Sequence, residues 1–223
     1  MSKVMIIGGH GKVAQLATPL LVQAGHTVTS IIRNPDQEDT IRTLGAVPLV
    51  FDVESSTRED FAEAFRGQDA IIWAAGAGGG NPDRTYAIDR DAAIASIDAA
   101  QQVGAKRYIM VSYLGSSLEH DVPNDSPFYP YAQSKAIADD HLMQSDLDWT
   151  ILGPGALTLE DPSDKIRRVG RMASDNLTEG ESSDTSRGNV AQAILSALTS
   201  EQSIRTVVDF VDGDTPINHV FGL

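Results

Sequence analysis

At 223 residues with 41% hydrophobic content, the chain is long enough to bury one good core and is expected to form a single domain over residues 1–223. A formal net charge of -14 argues against general affinity for nucleic acid or anionic membranes, although a local basic pocket can still hold a phosphorylated cofactor. The absence of cysteine excludes disulfides, thiolate nucleophiles and thiolate zinc clusters.

The first predicted strand, Lys3 to Ile7, is far too short for a signal-peptide core. No stretch approaches the roughly 18 apolar residues of a membrane span, so the cytoplasm is the expected compartment. Further Val- and Ile-rich runs follow at Thr27 to Ile32, Val47 to Phe51, Ala70 to Trp73, Arg107 to Val111 and Trp149 to Leu152, as buried parallel strands require. Between them lie helical stretches at Val13 to Gln23, Arg58 to Phe65 and Tyr86 to Val103, each followed by a glycine suited to a left-handed stop. This alternation predicts an α/β fold, a doubly wound parallel sheet of Rossmann type. Three stretches break the rhythm: 76–82, 114–128 and 153–188. The last, polar and rich in Asp, Ser and Gly, reads as a small C-terminal substrate lobe or lid, with Lys165 to Val169 as a possible edge strand.

The turn after the first strand reads Gly8-Gly9-His10-Gly11-Lys12-Val13-Ala14. Gly8 permits the tight exit from the strand, and Gly11 removes a side chain where a pyrophosphate approaches the free amides of the next helix. Ala14 takes the third small position, against the strand, and His10 reads as a spacer. At the end of the second strand stand Arg33 and Asn34, where an NAD site usually has a carboxylate. A forked guanidinium suits a 2′-phosphate, so NADP is expected over NAD.

Downstream lies Tyr131-Ala132-Gln133-Ser134-Lys135. Four residues apart on a helix, Tyr131 and Lys135 share a face, and a nearby ammonium is expected to lower the phenol's pKa toward the working range of a proton donor. Tyr129 and Tyr113 are lesser candidates for that role. Asp139-Asp140-His141, on the same predicted helix, reads as a solvated face, and the five dispersed histidines give no metal-ligand set. His120-Asp121 is a loop pair that touches substrate or merely solvent.

Together the glycine turn with Ala14, Arg33, Asp52-Val53, Ala74-Ala75-Gly76, Ser112, Tyr131 with Lys135, and Pro154-Gly155 resemble the short-chain dehydrogenases/reductases across nearly the whole chain. More narrowly they resemble the atypical, epimerase/dehydratase-like subgroup, in which an Asp commonly stands where Asp89 does. The resemblance implies a tetrad of Asp89, Ser112, Tyr131 and Lys135. Tyr131 would donate a proton to a carbonyl oxygen, Ser112 would hydrogen-bond that oxygen, Lys135 would hold the nicotinamide ribose, and Asp89 would orient Lys135 or a relaying water. It also implies that Asp52 and Val53 frame the adenine, that Ala74, Ala75 and Gly76 admit the cofactor over the sheet edge, and that Pro154 and Gly155 meet the nicotinamide through backbone groups. Gly153, where the subgroup often has arginine, removes a side chain near cofactor or substrate. The expected activity is NADP-dependent hydride transfer to or from a small carbonyl compound. A weakly catalytic NADPH sensor or scaffold, a flavin or quinone reductase, and an epimerase or dehydratase are the alternatives, with monomer and homodimer both open.

Overall fold

Six Val- and Ile-rich runs become neighbouring parallel strands because each is apolar on both faces and can be covered only by helices on either side. In the computed structural model, which describes residues 1–78, 80–170 and 182–223, these are β1 (Lys3–Ile7), β2 (Thr27–Ile32), β3 (Val47–Val50), β4 (Ala70–Trp73), β5 (Arg107–Val111) and β6 (Asp148–Pro154). The later strands are β7 (Ala156–Thr158), β8 (Lys165–Val169), β9 (Asp184–Ser186), β10 (Thr206–Asp212) and β11 (Thr215–Pro216). The helices are α1 (Lys12–Gln23), α2 (Glu38–Thr43), α3 (Arg58–Ala64), α4 (Pro82–Thr85), α5 (Ala93–Val103), α6 (Tyr129–Met143), α7 (Arg187–Thr199) and α8 (Ile217–Val220).

Among the described residues the main sheet runs β11-β8-β10-β6-β5-β4-β1-β2-β3. From β3 to β10 every pairing is parallel; β8 and β11 are antiparallel to their neighbours. The chain winds outward from β1 to β3 and then returns to β4 on the other side of β1. The carboxyl ends of β1 and β4 therefore diverge into a crevice, the place where such sheets bind ligands. One face of the sheet, with Val4, Ile6, Ile109 and Leu152, packs on α1 and α7 through Leu21 and Ile194. The other, with Met5, Ile71, Trp73 and Met110, packs on α3, α5 and α6 through Phe61, Ile97 and Leu142. Phe61 and Phe65 are fully buried, each contributing about 1.5–3 kcal/mol of apolar transfer.

Local chemistry sets the boundaries that position the site. Thr57 and Asp60 close a reciprocal capping box at the start of α3. Gly104 stops α5 at φ +75°. The helix expected from Tyr86 begins earlier, at Pro82 in α4 capped by the Asn81 side chain, and passes into α5 through a π-helical stretch over Tyr86–Ala92 that contains Asp89. Lys165 to Val169 is a strand, as expected, but not an edge: it lies between β10 and the two-residue β11. Of the expected lobe, residues 171–181 lie outside the described residues. The rest divides between β8 in the main sheet and a separate parallel pair, β7 and β9.

Candidate functional site

The turn after β1 forms the floor of the crevice. Gly8 has φ +84°, and a Cβ there would come within 2.7 Å of the Ala75 Cα and 2.8 Å of its N, so the turn passes the segment after β4 at a distance only glycine allows. Gly11 is the N-cap of α1, and a Cβ on it would approach the Gly8 carbonyl at 3.1 Å. Above this floor opens a cleft. Gly8, His10, Gly11, Arg33, Asp52, Val53, Ala74, Ala75 and Gly76 all line it. Arg33 is exposed at its edge. Arg84 enters from α4, its Nε donating to Glu54 at 2.9 Å and its Nη1 to the Ala77 carbonyl at 2.7 Å. Nearby, Asp89 is 1% exposed: one carboxyl oxygen accepts from the Ala77 amide at 3.0 Å, and the other has no partner among the described residues. A Cβ on Gly76 would meet that unpartnered oxygen at 3.2 Å. Burial pushes the Asp89 carboxyl above the ordinary range, against the lowering influence of Lys135, the Ala77 amide and Arg84.

The second half of the site hangs on α6, which Pro130 helps to start. Tyr131, half-buried, lines a cavity beyond the crevice. Its ring packs against Tyr113 at 5.6 Å and Phe128 at 5.4 Å between centroids, and those two meet edge-on at 5.4 Å. One turn on, Lys135 is buried and donates to the Val111 carbonyl at 2.8 Å and the Met110 sulfur at 3.4 Å. A further turn on, Asp139 is 2% exposed and accepts from Ser112 Oγ at 2.5 Å and Ser116 Oγ at 2.6 Å. The Tyr131 phenol is raised well above its ordinary range, first by burial and then by the charges of Asp89 and Asp139 and by Tyr113. Tyr113 is likewise pushed up to about 12 by burial, Asp139 and Asp209.

A family model described as NAD(P)H-binding matches residues 8–201. The chain belongs to this NAD(P)H-binding family. It is of the atypical short-chain dehydrogenase/reductase kind, an oxidoreductase- and epimerase-like group. It is similar to a UPF0659 protein of Schizosaccharomyces pombe, 35% identical over 97% of this chain and 92% of that one. A Bacillus subtilis protein named "Uncharacterized sugar epimerase YhfK" is 33% identical over 96% of each chain. A solved structure from Bacillus halodurans, named "Putative NAD-dependent epimerase/dehydratase", superposes with a TM-score of 0.88 at 32% identity, covering 100% of this chain and 99% of that one.

The cradle of this NAD(P)H-binding chain suits a dinucleotide: Gly8 and Gly11 leave room for the pyrophosphate at the amide end of α1, and Asp89 offers an unpartnered oxygen beside Gly76. Not every expected cofactor residue reaches the cleft. Gly9 packs against Ser30 of β2, the Val13 side chain joins the core, Lys12 is exposed just beyond the cap, and Asn34 caps the short turn at Pro35–Gln37 by accepting from the Asp36 amide. The Pro154 carbonyl is occupied by the Leu114 amide, and the Gly155 amide by the Phe210 carbonyl. Neither Pro154 nor Gly155 is among the residues lining the cleft.

Four further expectations are corrected. The Tyr131 phenol is raised rather than lowered: burial comes first, then the charges of Asp89 and Asp139, while the Lys135 ammonium donates to the Val111 carbonyl at the end of β5. The Ser112 hydroxyl proton goes to Asp139, so in this arrangement it is not free for a substrate oxygen. Asp139 is no solvated-face residue, since two serine hydroxyls desolvate and hold it. Gly153 leaves its space to a protein side chain, because a Cβ there would collide with the Asp209 carboxyl across the β6–β10 register. Sequence reasoning also missed Arg84, Glu54 and Gln37 in the cleft, and Asp209 beyond it. Only Asp139 carried a signal, its four- and eight-residue spacing from Lys135 and Tyr131.

Proposed function

We propose that the chain is an NADP-dependent oxidoreductase that reduces a small carbonyl compound with Tyr131 as proton donor. The observation that carries this reading is the position of Tyr131 on the wall of a cavity next to the NAD(P)H cleft. When bound, the dihydronicotinamide supplies hydride to the carbonyl carbon. The carbonyl oxygen takes the phenolic proton from Tyr131, and the product is the alcohol. Buried Lys135, fastened to Val111, fixes the α6 turn behind Tyr131 and offsets the charge of Asp89. Preference for NADP rests on Arg33 at the cleft's edge, with Arg84 as a second cation lining it.

One observation favours a second reading. With the Ser112 proton committed to Asp139 and the Tyr131 pKa raised, the machinery is poorly tuned, as a weakly catalytic NADPH sensor would be. The name of the B. subtilis relative points instead to sugar epimerisation. The deciding experiment follows NADPH consumption with aldehydes, ketones, quinones and flavins, for the native chain and Tyr131→Phe. Turnover lost in the variant supports the proposal. Turnover surviving unchanged rejects Tyr131 as donor and points to direct hydride transfer to flavin or quinone, and tight NADPH binding without turnover supports the sensor.

A further inference from the structure

The cleft on the cofactor side carries both signs, with Arg33 at its edge and Arg84, paired with Glu54, lining it beside Asp52. The cavity in front of Tyr131 is lined by Asn81, Asn124, Asp125, Pro127 and Pro130, and by no Lys or Arg among the described residues. Behind its wall lie the buried carboxyl groups of Asp89 and Asp139, both of which act on Tyr131, and Asp209, which with Asp139 acts on the adjoining Tyr113. Beneath this wall lies the buried Lys135 ammonium. It is fastened to the Val111 carbonyl and partly neutralised by Asp89.

We propose that this cavity is the substrate pocket and that it selects an uncharged carbonyl compound over an anionic one. The inference rests on the reading of Tyr131 as proton donor. A carboxylate or phosphate brought up to Tyr131 would give up hydration without meeting a counter-ion, and an unpaired charge in a partly desolvated site is costly. Asn81 and Asn124 bring amide groups to the lining, which pair with hydroxyl or carbonyl groups of a neutral ligand. Pro82 and Pro130, in the first turns of α4 and α6, stiffen opposite sides of the opening.

Two aldehydes of nearly equal size test the charge alone: 4-(hydroxymethyl)benzaldehyde, which is neutral, and 4-carboxybenzaldehyde, an anion at pH 7. With the full chain and NADPH, kcat/KM for the neutral aldehyde is expected to exceed that for the anion by at least about tenfold, a factor equivalent to ~1.4 kcal/mol. Asp125→Lys, a substitution at an exposed loop position, is expected to narrow that ratio severalfold by raising the value for the anion. The proposal is overturned if the anion is used as well as or better than the neutral aldehyde, if Asp125→Lys leaves the ratio unchanged, or if neither aldehyde is reduced. Tyr131→Phe, run on the better aldehyde, keeps the two readings apart. Undiminished turnover in that variant refutes the proton-donor role, whereas an anion preference with Tyr131-dependent turnover refutes only the pocket's charge selectivity.

Discussion

Substituting Gly8 by alanine separates two costs that usually arrive together. Gly8 has φ +84°, and its missing Cβ would lie 2.7 Å from the Ala75 Cα, 2.8 Å from the Ala75 N and 3.0 Å from the Ala74 carbonyl carbon. These are backbone atoms at the exit of β4, so no side-chain rotation relieves the contact. Left-handed backbone costs an L-residue about 1–2 kcal/mol, and forced overpacking adds about 1–3 kcal/mol. Gly8→Ala should therefore lose about 2–5 kcal/mol of unfolding free energy. Gly67 provides the control: its φ is +72°, and a Cβ there meets nothing within 4 Å. Gly67→Ala should lose only the conformational part, about 1–2 kcal/mol, or ~2–8 °C in Tm for a chain of this size. Urea unfolding with a fitted slope measures both variants, and NADPH titration follows the cleft at the same time. Binding should fall with Gly8→Ala and hold with Gly67→Ala. Equal losses of stability in the two variants would refute the reasoning, because the close approach of Gly8 to the Ala74–Ala75 backbone would then contribute nothing.

Arg33→Ala should raise the Kd for NADPH by about tenfold or more, the scale of losing charge-assisted hydrogen bonds to phosphate. NADH should bind nearly as before, and equal losses for both cofactors would remove Arg33 from the 2′-phosphate. Asp89→Asn tests the buried carboxyl through pH. Burial raises the folded-state pKa of Asp89, so below the ordinary carboxyl pKa of about 3.9 both states hold the proton and Asp89 contributes nothing. As pH rises above that value the unfolded chain ionises first, and native stability falls. The variant's Tm should therefore match the native one near pH 4 and exceed it at pH 7, and thermal melts across that range would expose a flat or reversed difference. Arg107, whose guanidinium burial lowers to a pKa of about 10, donates to the Asp148 carbonyl, to Thr150 Oγ1 at 2.6 Å, to the Ala197 carbonyl at 2.7 Å and to Ser203 Oγ at 3.0 Å. Arg107→Met leaves these acceptors unsatisfied and should cost about 2–4 kcal/mol in urea unfolding. A loss below ~1 kcal/mol would mean that water replaces the clasp.

Those parts of the fold that depend on local pattern were legible. β1 to β6 appear as continuous Val- and Ile-rich runs because helices cover both their faces. The glycine turn is readable because its conformational demands are met within seven residues. Other features depend on partners far along the chain. Asp139 sits in an Asp-Asp-His run that looks solvated, and its burial becomes intelligible only when Ser112 and Ser116 arrive from β5 and the loop after it. β10 carries an aspartate in its middle, Asp209, which fits only because Gly153 on the neighbouring strand leaves it room. Arg84 reaches the cleft by pairing with Glu54, thirty residues away. No proline or glycine marks the π-helical turn that carries Asp89, so nothing in its residues distinguishes it from ordinary helix.

The two ends of the sheet share a device. Just past β3 the Phe51 amide donates back to the Ile32 carbonyl, so by alternation the Leu49 and Val47 amides also face β2 and residue 48 turns its backbone nitrogen outward. That residue is Pro48, which has no hydrogen to offer. At the opposite end the last strand, β11, is only Thr215 and Pro216. Each rim of the sheet is thereby denied a regular row of donors, although Val47 and Val50 leave apolar surface beside one of them. At these two rims of the main sheet, a stray strand from another molecule meets no regular row of donors among the described residues.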